Sequence, residues 1–129
     1  MRARPLIAIA ATIALLAVLA SAASAHTLKA ARAANANNLV AREVCRGFVD
    51  DPDLGTCVDW TSGPCRRVSE HRIRCQMVHF FEHENGARLR CQQVQEWLVS
   101  EGKGELKVRP VPRSAFCRQT HPPEEPAAP

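Results

Sequence analysis

Aromatic residues and unbalanced charge are both scarce in this chain. Its 129 residues include two tryptophans, four phenylalanines and no tyrosine. A small domain needs these few rings for its core, so an aromatic surface that binds ligands is not expected. The 17 Lys and Arg residues are nearly matched by 13 Asp and Glu residues. This balance gives no electrostatic reason to expect nucleic acid as a partner.

Long apolar runs are missing from most of the chain, and the one that exists lies at the N-terminus. A basic start, Met1–Arg4, precedes an uncharged run over Pro5–Ala20, and Ala23–Ala25 fits the A-x-A cleavage pattern. Residues 1–25 are therefore predicted to be a secretory signal peptide, with His26 as the mature N-terminus. No cysteine follows the run as a lipid-attachment signal, and an uncleaved signal acting as a membrane anchor is the alternative.

Spacing of the C-x₂₋₄-C type is also missing, although the chain has six cysteines. Zinc fingers require that spacing, so a structural zinc site is not predicted. An even number of cysteines in a small exported chain indicates a disulfide framework, which leaves no free thiolate for nucleophilic catalysis. A bridge between Cys45 and Cys57 is favoured because they bracket an acidic turn, and the other pairings stay open. The six residues are Cys45, Cys57, Cys65, Cys75, Cys91 and Cys117.

A single helix is predicted over Thr27–Arg46. Thr27 suits the N-cap, and Gly47 suits the position just after the helix, where a positive φ is common. An apolar stripe at helical spacing indicates the buried face. It consists of Ala33, Ala36, Val40 and Val44, with Leu39 beside it. The segment Asp50–Pro64 that follows is predicted to be an irregular connector.

In the second half of the chain, polar and apolar residues alternate, which indicates strands. Strands are predicted over Arg67–Ser69 and Arg72–His83, with a tight turn between them. Asn85-Gly86 is typical of a hairpin turn and joins the second strand to a third. After a turn at Gly102–Gly104, a fourth strand over Glu105–Val111 is bounded by prolines that suit a sheet edge.

The predicted fold class is α+β, with one N-terminal helix packed on a small antiparallel β-meander and with disulfides stapling the domain. The sheet face opposite the helix is expected to carry many charges. Residues 26–118 are predicted to form this single secreted domain, and residues 119–129 a Pro-rich disordered tail. The expected core residues are Leu39, Val44, Phe48, Trp60, Val78, Phe80, Leu89, Trp97 and Phe116.

The segment Cys65–Cys75 has the sequence CRRVSEHRIRC, follows an Ala/Arg-rich helix that ends in a cysteine, and precedes a hairpin with another cysteine. In these features the chain resembles a loose group of small secreted proteins of high-GC actinobacteria. The resemblance covers Ala30–Cys117. It implies a helix, an antiparallel sheet and disulfides, and it implies no particular activity or site residue.

Two histidine patterns are typical of metal sites. His79–His83 matches H-x-x-E-H, which needs a helix to bind zinc, whereas on the predicted strand the two histidines lie roughly 13 Å apart. A mature N-terminal His26 resembles the copper brace of lytic polysaccharide monooxygenases, because its α-amine and imidazole suit Cu(II). A small extracellular copper-binding protein is thus one alternative function. The second ligand would come from His71, His79, His83 or His121.

The aspartates after the helix, Asp50–Asp53 with Asp59, resemble those of a calcium loop. The EF-hand spacing fails because Gly55 and Ser62 occupy two ligand positions. A polar turn is predicted instead.

Arginines cluster on the two predicted hairpins and are the candidate binding residues. Neighbouring strands would join them into a basic patch for carboxylates or phosphates, which Glu70, Glu82 and Glu96 would partly neutralise. Signal cleavage would remove Arg2 and Arg4 from the 17 basic residues and leave 15 against 13 acidic ones. The patch residues are Arg66, Arg67, Arg72, Arg74, Arg88 and Arg90.

The leading interpretation is a secreted, monomeric, non-enzymatic binding domain with no cofactor. Its partner is expected to be an extracellular macromolecule or an anionic wall polymer, with no nucleic acid and no stable membrane insertion after cleavage. A cystatin-like protease inhibitor is a further alternative that rests on architecture alone.

Overall fold

The computed structural model describes residues 27–100 and 104–126, which form one helix and one sheet of five strands. The helix is α1 (Ala30–Gly47), and the strands are β1 (Thr56–Ser69), β2 (Arg72–Glu82), β3 (Arg88–Val99), β4 (Leu106–Pro110) and β5 (Phe116–His121). Every pairing is antiparallel, in the order β1-β2-β3-β4, and β5 also pairs with β3. The predicted α+β class is confirmed. The predicted signal peptide, His26 and the turn residues Gly102-Lys103 lie outside the described residues.

β4 and β5 lie end to end along the same edge of β3. β4 pairs with Gln95–Val99, and β5 pairs with Arg88–Gln92. Between them, the Val111 N–H donates to Val94 O at 2.9 Å, and the Val94 N–H donates to Ser114 Oγ at 3.1 Å. The two short strands therefore act as one interrupted edge strand, and both place side chains beside β3.

The connector predicted before the sheet is wrong over much of its length, because β1 begins at Thr56. β1 has 14 residues and pairs along β2 with three register shifts, one of which spans Gly63-Pro64. Trp60 pairs with His79. Aromatic and β-branched residues thus continue the strand through a segment that also contains turn residues, which an edge strand with bulges tolerates.

The ends of α1 differ from the prediction. The helix begins at Ala30 with Lys29 as its N-cap and without a side-chain cap, so the N-cap assigned to Thr27 is wrong. Gly47 is the last helical residue instead of the first residue beyond the helix. The Phe48 N–H then donates to a carbonyl of the last turn at 3.2 Å and satisfies one of the free helix-end acceptors.

α1 packs on the sheet through small side chains. Its buried residues are Ala33, Asn37, Ala41 and Cys45. The predicted stripe is therefore only partly correct: Ala36 and Val40 pack at the border of the core, and Leu39 is 53% exposed. The buried line is rotated from the stripe because Asn37, a polar residue, faces the sheet.

The core lies between α1 and the sheet and contains Leu28, Ala33, Ile73, Cys75 and Trp97. Of the predicted core residues, Trp97 and Val78 are buried. Phe116 is 57% exposed, because it lies on β5, where every residue is exposed. The remaining predicted core residues are half-buried, namely Val44, Phe48, Trp60, Phe80 and Leu89.

Three disulfides staple the domain. The predicted bridge Cys45–Cys57 is confirmed and ties the end of α1 to the start of β1. The pairings that the sequence left open are Cys65–Cys75, between β1 and β2, and Cys91–Cys117, between β3 and β5. Bridges of this number in a small domain indicate an oxidising environment outside the cytoplasm.

The hairpin predicted at Asn85-Gly86 joins β2 to β3, with Gly86 at φ 84°. β5 runs to His121, so regular structure continues past residue 118, where the tail was predicted to follow. Beyond the strand, the Glu124 N–H donates to Asn85 O at 2.8 Å. The first residues of the tail therefore contact the β2–β3 turn.

Candidate functional site

The sheet has one face covered by α1 and an opposite face, here called the outer face, that no described element covers. Ile73 and Cys75 of β2 are buried in the core beneath α1. Because side chains alternate along a strand, Arg72 and Arg74 point to the outer face. The partners of these two residues on neighbouring strands share that face.

One row of the outer face places three arginines around a glutamate. Arg66 of β1 lies opposite Arg74 of β2. Arg74 lies opposite Glu96 of β3, and Glu96 lies opposite Arg109 of β4. Directly opposite residues in antiparallel strands have Cβ atoms about 4.5–5.5 Å apart, so the four side chains are immediate neighbours. Together with Arg72, they are called the Glu96 cluster below.

Glu96 holds the cluster together. Its Oε2 accepts a hydrogen bond from Arg74 Nε at 2.9 Å. Its Oε1 accepts from Arg109 Nε at 2.9 Å and also from Arg109 Nη2, while Arg72 Nη1 lies 3.9 Å from Oε1. The Glu96 side chain is 2% exposed, against 38% for Arg74 and 59% for Arg109. The carboxylate is thus covered chiefly by the arginines that it binds.

The arginines lower the pKa of Glu96 below its ordinary value. The hydrogen bond from Arg109 is the largest cause, followed by that from Arg74, and burial acts in the opposite direction. Glu96 is therefore ionised at neutral pH and orients both guanidinium groups. Each guanidinium carries more N–H donors than Glu96 uses, so the cluster can still bind an anion.

A second basic group lies at the other end of the outer face. Arg90 of β3 lies opposite Phe80 of β2 and Arg118 of β5. Arg88 lies opposite Glu82, with Arg88 Nε 3.8 Å from Glu82 Oε2. Among the described residues, the side chains of Arg66, Lys107 and Arg118 have no hydrogen-bonding or ion-pair partner. These three cations contribute charge that no described carboxylate neutralises.

The fold concentrates positive charge on the outer face, although the whole chain is nearly balanced. The register places eight basic residues there, namely Arg66, Arg72, Arg74, Arg88, Arg90, Lys107, Arg109 and Arg118. The acidic residues in the same rows are Asp59, Glu82 and Glu96. An excess of this size on one face attracts anions from solution.

Five of the six arginines of the predicted patch lie on the outer face, and Arg67 is the exception. Arg67 lies opposite Ile73. Its guanidinium donates to the carbonyl oxygens of Ser69 and Glu70 at 3.2 and 3.1 Å and to that of Leu28. Arg67 ties the chain before α1 to the β1–β2 turn, so its inclusion in the patch is corrected.

The sequence analysis missed Lys107, Arg109 and Arg118. Alternation within Leu106–Pro110 places Lys107 and Arg109 on one face of a strand, and this signal was present in the sequence. The strand beside which β4 and β5 lie is set by long-range pairing with β3. Glu96 was expected to neutralise part of the patch, whereas its role as the centre of the cluster depends on that pairing.

The histidines of the H-x-x-E-H pattern bind backbone carbonyls. His79 is buried on β2, and its Nε2 lies 2.8 Å from Ala41 O of α1. His83 follows β2, and its Nε2 lies 2.9 Å from Asp53 O. Within residues 27–100 and 104–126, no three metal-binding side chains converge. The other half of the copper hypothesis, His26, lies outside this part of the chain.

The aspartates after α1 form a polar turn. Asp51 Oδ1 accepts hydrogen bonds from the backbone N–H groups of Asp53 and Leu54, both at 2.9 Å. Asp50 Oδ1 accepts from Thr56 Oγ1 at 3.3 Å. These carboxylates stabilise the turn itself, in agreement with the prediction made for them.

Comparisons with protein-family profiles, with curated proteins and with solved structures find no match to this chain. The resemblance to small actinobacterial secreted proteins therefore stays a prediction. In the described part of the chain, no helix has the length and apolar character needed to span a bilayer. The case for the outer face as the functional site rests on its own residues.

Proposed function

We propose that this protein is a secreted, non-enzymatic binding module that holds an anionic extracellular macromolecule, such as a wall polymer, on the outer face. The Glu96 cluster carries the proposal, since a buried, ionised carboxylate there orients arginines on an open sheet face. The three disulfides support a place of action outside the cytoplasm.

The chemistry of the cluster suits anions that carry several oxygens. Guanidinium groups bind carboxylates, sulfates and phosphates through paired N–H donors. Arg74 and Arg109 are already oriented by Glu96, so less side-chain freedom is lost when a ligand binds. A sheet face with basic groups at both ends also suits an extended polymer better than a small ion.

The experiment measures capture of the protein by immobilised polyglutamate and by immobilised long-chain polyphosphate. The test variant is Arg66→Glu with Arg118→Glu, because neither side chain has a described partner whose loss would disturb the fold. We expect affinity to fall at least about tenfold and the capture of the unaltered protein to weaken as salt screens the charges. Arg72→Glu with Arg74→Glu should lose more, provided that circular dichroism shows it folded.

The matched control is Lys29→Glu with Arg32→Glu, which changes net charge by the same amount at the start of α1, where both residues are exposed. We expect this control to keep most of the affinity. If the control and the outer-face variant lose affinity equally, net charge alone explains capture and the proposed site is wrong.

A further inference from the structure

Two glutamines lie between the basic ends of the outer face. Gln76 is the next outer-face residue after Arg74 on β2, and Gln92 is the next after Arg90 on β3. The Gln76 Nε2 donates to Gln92 Oε1 at 3.4 Å, and Arg90 Nη1 donates to the same oxygen at 3.0 Å. Both glutamines are half-buried. The amides are therefore held in one orientation by a bonded neighbour.

The polar atoms that remain on this pair are one acceptor and one donor group. Among the described residues, neither Gln76 Oε1 nor Gln92 Nε2 makes a hydrogen bond. A carboxylate or phosphate oxygen only accepts hydrogen bonds, so it cannot use the Gln76 acceptor. A hydroxyl group both donates and accepts, and it can satisfy the two amides together.

We propose that the outer face binds an acidic polysaccharide, with sugar hydroxyl groups at Gln76 and Gln92 and acid groups at the arginines. The inference rests on the proposed function and specifies the class of its ligand. A polyphosphate or an acidic peptide matches the arginines equally well. Only a chain that carries hydroxyl groups between its acid groups also matches the amide pair.

The spacing of the rows sets the direction of the bound chain. Outer-face residues along β2 recur about every 6.6 Å, so the row of Arg74 and the row of Phe80 lie roughly 20 Å apart. Between them stand Gln76 and the apolar side chain of Val78. An oligosaccharide that runs along the strands meets the Glu96 cluster, then the amides and an apolar floor, and then the Arg90–Arg118 pair.

The test compares oligogalacturonides with polyphosphate and polyglutamate of equal charge, by titration calorimetry at constant salt. Gln76→Leu with Gln92→Leu removes the amides, and we expect it to weaken galacturonide binding about tenfold while polyphosphate binding stays unchanged. Gln76→Leu alone leaves the Arg90–Gln92 bond intact and should show a smaller loss of the same selectivity. Gln119→Leu is the control, because Gln119 is exposed opposite Leu89, away from the outer face.

The length of the oligosaccharide provides a second readout. Affinity for galacturonides should rise from the dimer until the chain spans both basic ends, and then level off. Arg118→Glu should abolish that rise and leave dimer binding close to that of the unaltered protein. Equal affinity for all lengths would contradict the lengthwise placement.

The outcomes separate this inference from the proposed function. If the glutamine variants weaken both ligands equally, or neither, sugar recognition is wrong; the proposed function then stands as long as Arg66→Glu with Arg118→Glu loses polyphosphate. If the unaltered protein binds none of the three polymers, or if that arginine variant changes nothing, both proposals are wrong.

Discussion

The Nε1–H of Trp97 donates a 3.0 Å hydrogen bond to Oδ1 of Asn37, and this bond joins β3 to α1 inside the core. Asn37 is 0% exposed and Trp97 is 4% exposed. Asn37 Nδ2 also donates to Ser62 Oγ at 2.7 Å and to Gln76 O at 3.2 Å. One buried amide thus binds groups on three strands, which explains why asparagine occupies the buried line of a helix that otherwise presents small residues.

Asn37→Ala is expected to lower the free energy of unfolding by about 1–3 kcal/mol, the cost of leaving buried polar groups without partners. The loss should appear although alanine favours helix. Urea unfolding at constant m-value measures it. Asn38→Ala is the control, because Asn38 is its exposed neighbour, and that variant should be neutral or slightly stabilising. Equal effects of the two substitutions would contradict the role assigned to Asn37.

The parts of the fold that depend on local signals are predictable from the sequence. The turn at Asn85-Gly86, the alternation along β2 and the short loop between Cys45 and Cys57 are signals contained within a few residues. These signals placed Arg72 and Arg74 on one strand face and Arg88 and Arg90 on one face of its hairpin partner. Half of the candidate site follows from them.

The remaining parts depend on pairings between distant residues. Arg109 reaches Glu96 only because β4 lies beside β3, and Arg118 joins Arg90 only because β5 continues that edge. The buried face of α1 was misplaced for a related reason. An asparagine counts as polar in a hydrophobic pattern, whereas Asn37 is buried because distant side chains satisfy it.

Glu96→Gln is expected to destabilise the protein at neutral pH and to have less effect in acid. The hydrogen bonds from Arg109 and Arg74 lower the pKa of Glu96 in the folded chain. A lowered pKa means that the ionised carboxylate stabilises the fold above the ordinary value of 4.5, and that this stabilisation is lost as the pH falls through the lowered pKa. The difference between the two proteins should therefore shrink below about pH 5.

Thermal unfolding of both proteins from neutral to acid pH measures this difference. Glu84→Gln serves as the control, since Glu84 is exposed after the end of β2, and it should follow the unaltered protein at every pH. A stability difference between Glu96→Gln and the unaltered protein that stays constant with pH would show that Glu96 acts through its shape and not through its charge.

Gly55→Ala and Gly47→Ala are expected to change stability in opposite directions. Gly55 has φ 87°, and an added Cβ would lie 2.9 Å from the carbonyl carbon of Glu82 and 3.1 Å from the Cα of His83. Backbone atoms cannot yield there, so we expect a loss of about 1–3 kcal/mol. Gly47 is helical with no atom within 4 Å of an added Cβ, and alanine should add about 0.5–1 kcal/mol. Melting temperatures test both, and a stable Gly55→Ala protein would contradict the close approach.

Removal of the Cys91–Cys117 bridge, by Cys91→Ser with Cys117→Ser, is expected to release β5 before the rest of the sheet. Every residue of β5 is exposed, so backbone pairing to β3 and this bridge are its main attachments. Native-state hydrogen exchange should show fast exchange over Phe116–His121 and continued protection of β2, because local opening needs less free energy than global unfolding.

The bridge Cys45–Cys57 provides the comparison for that experiment. It ties α1 to β1, so its removal by Cys45→Ser with Cys57→Ser should cost about 2–4 kcal/mol of global stability without selective exchange in β5. Release of β5 also displaces Arg118 from Arg90. Loss of the Cys91–Cys117 bridge should therefore weaken polyphosphate binding while the Glu96 cluster stays intact. Slow exchange in β5 without the bridge would mean that pairing with β3 alone keeps Arg118 on the outer face.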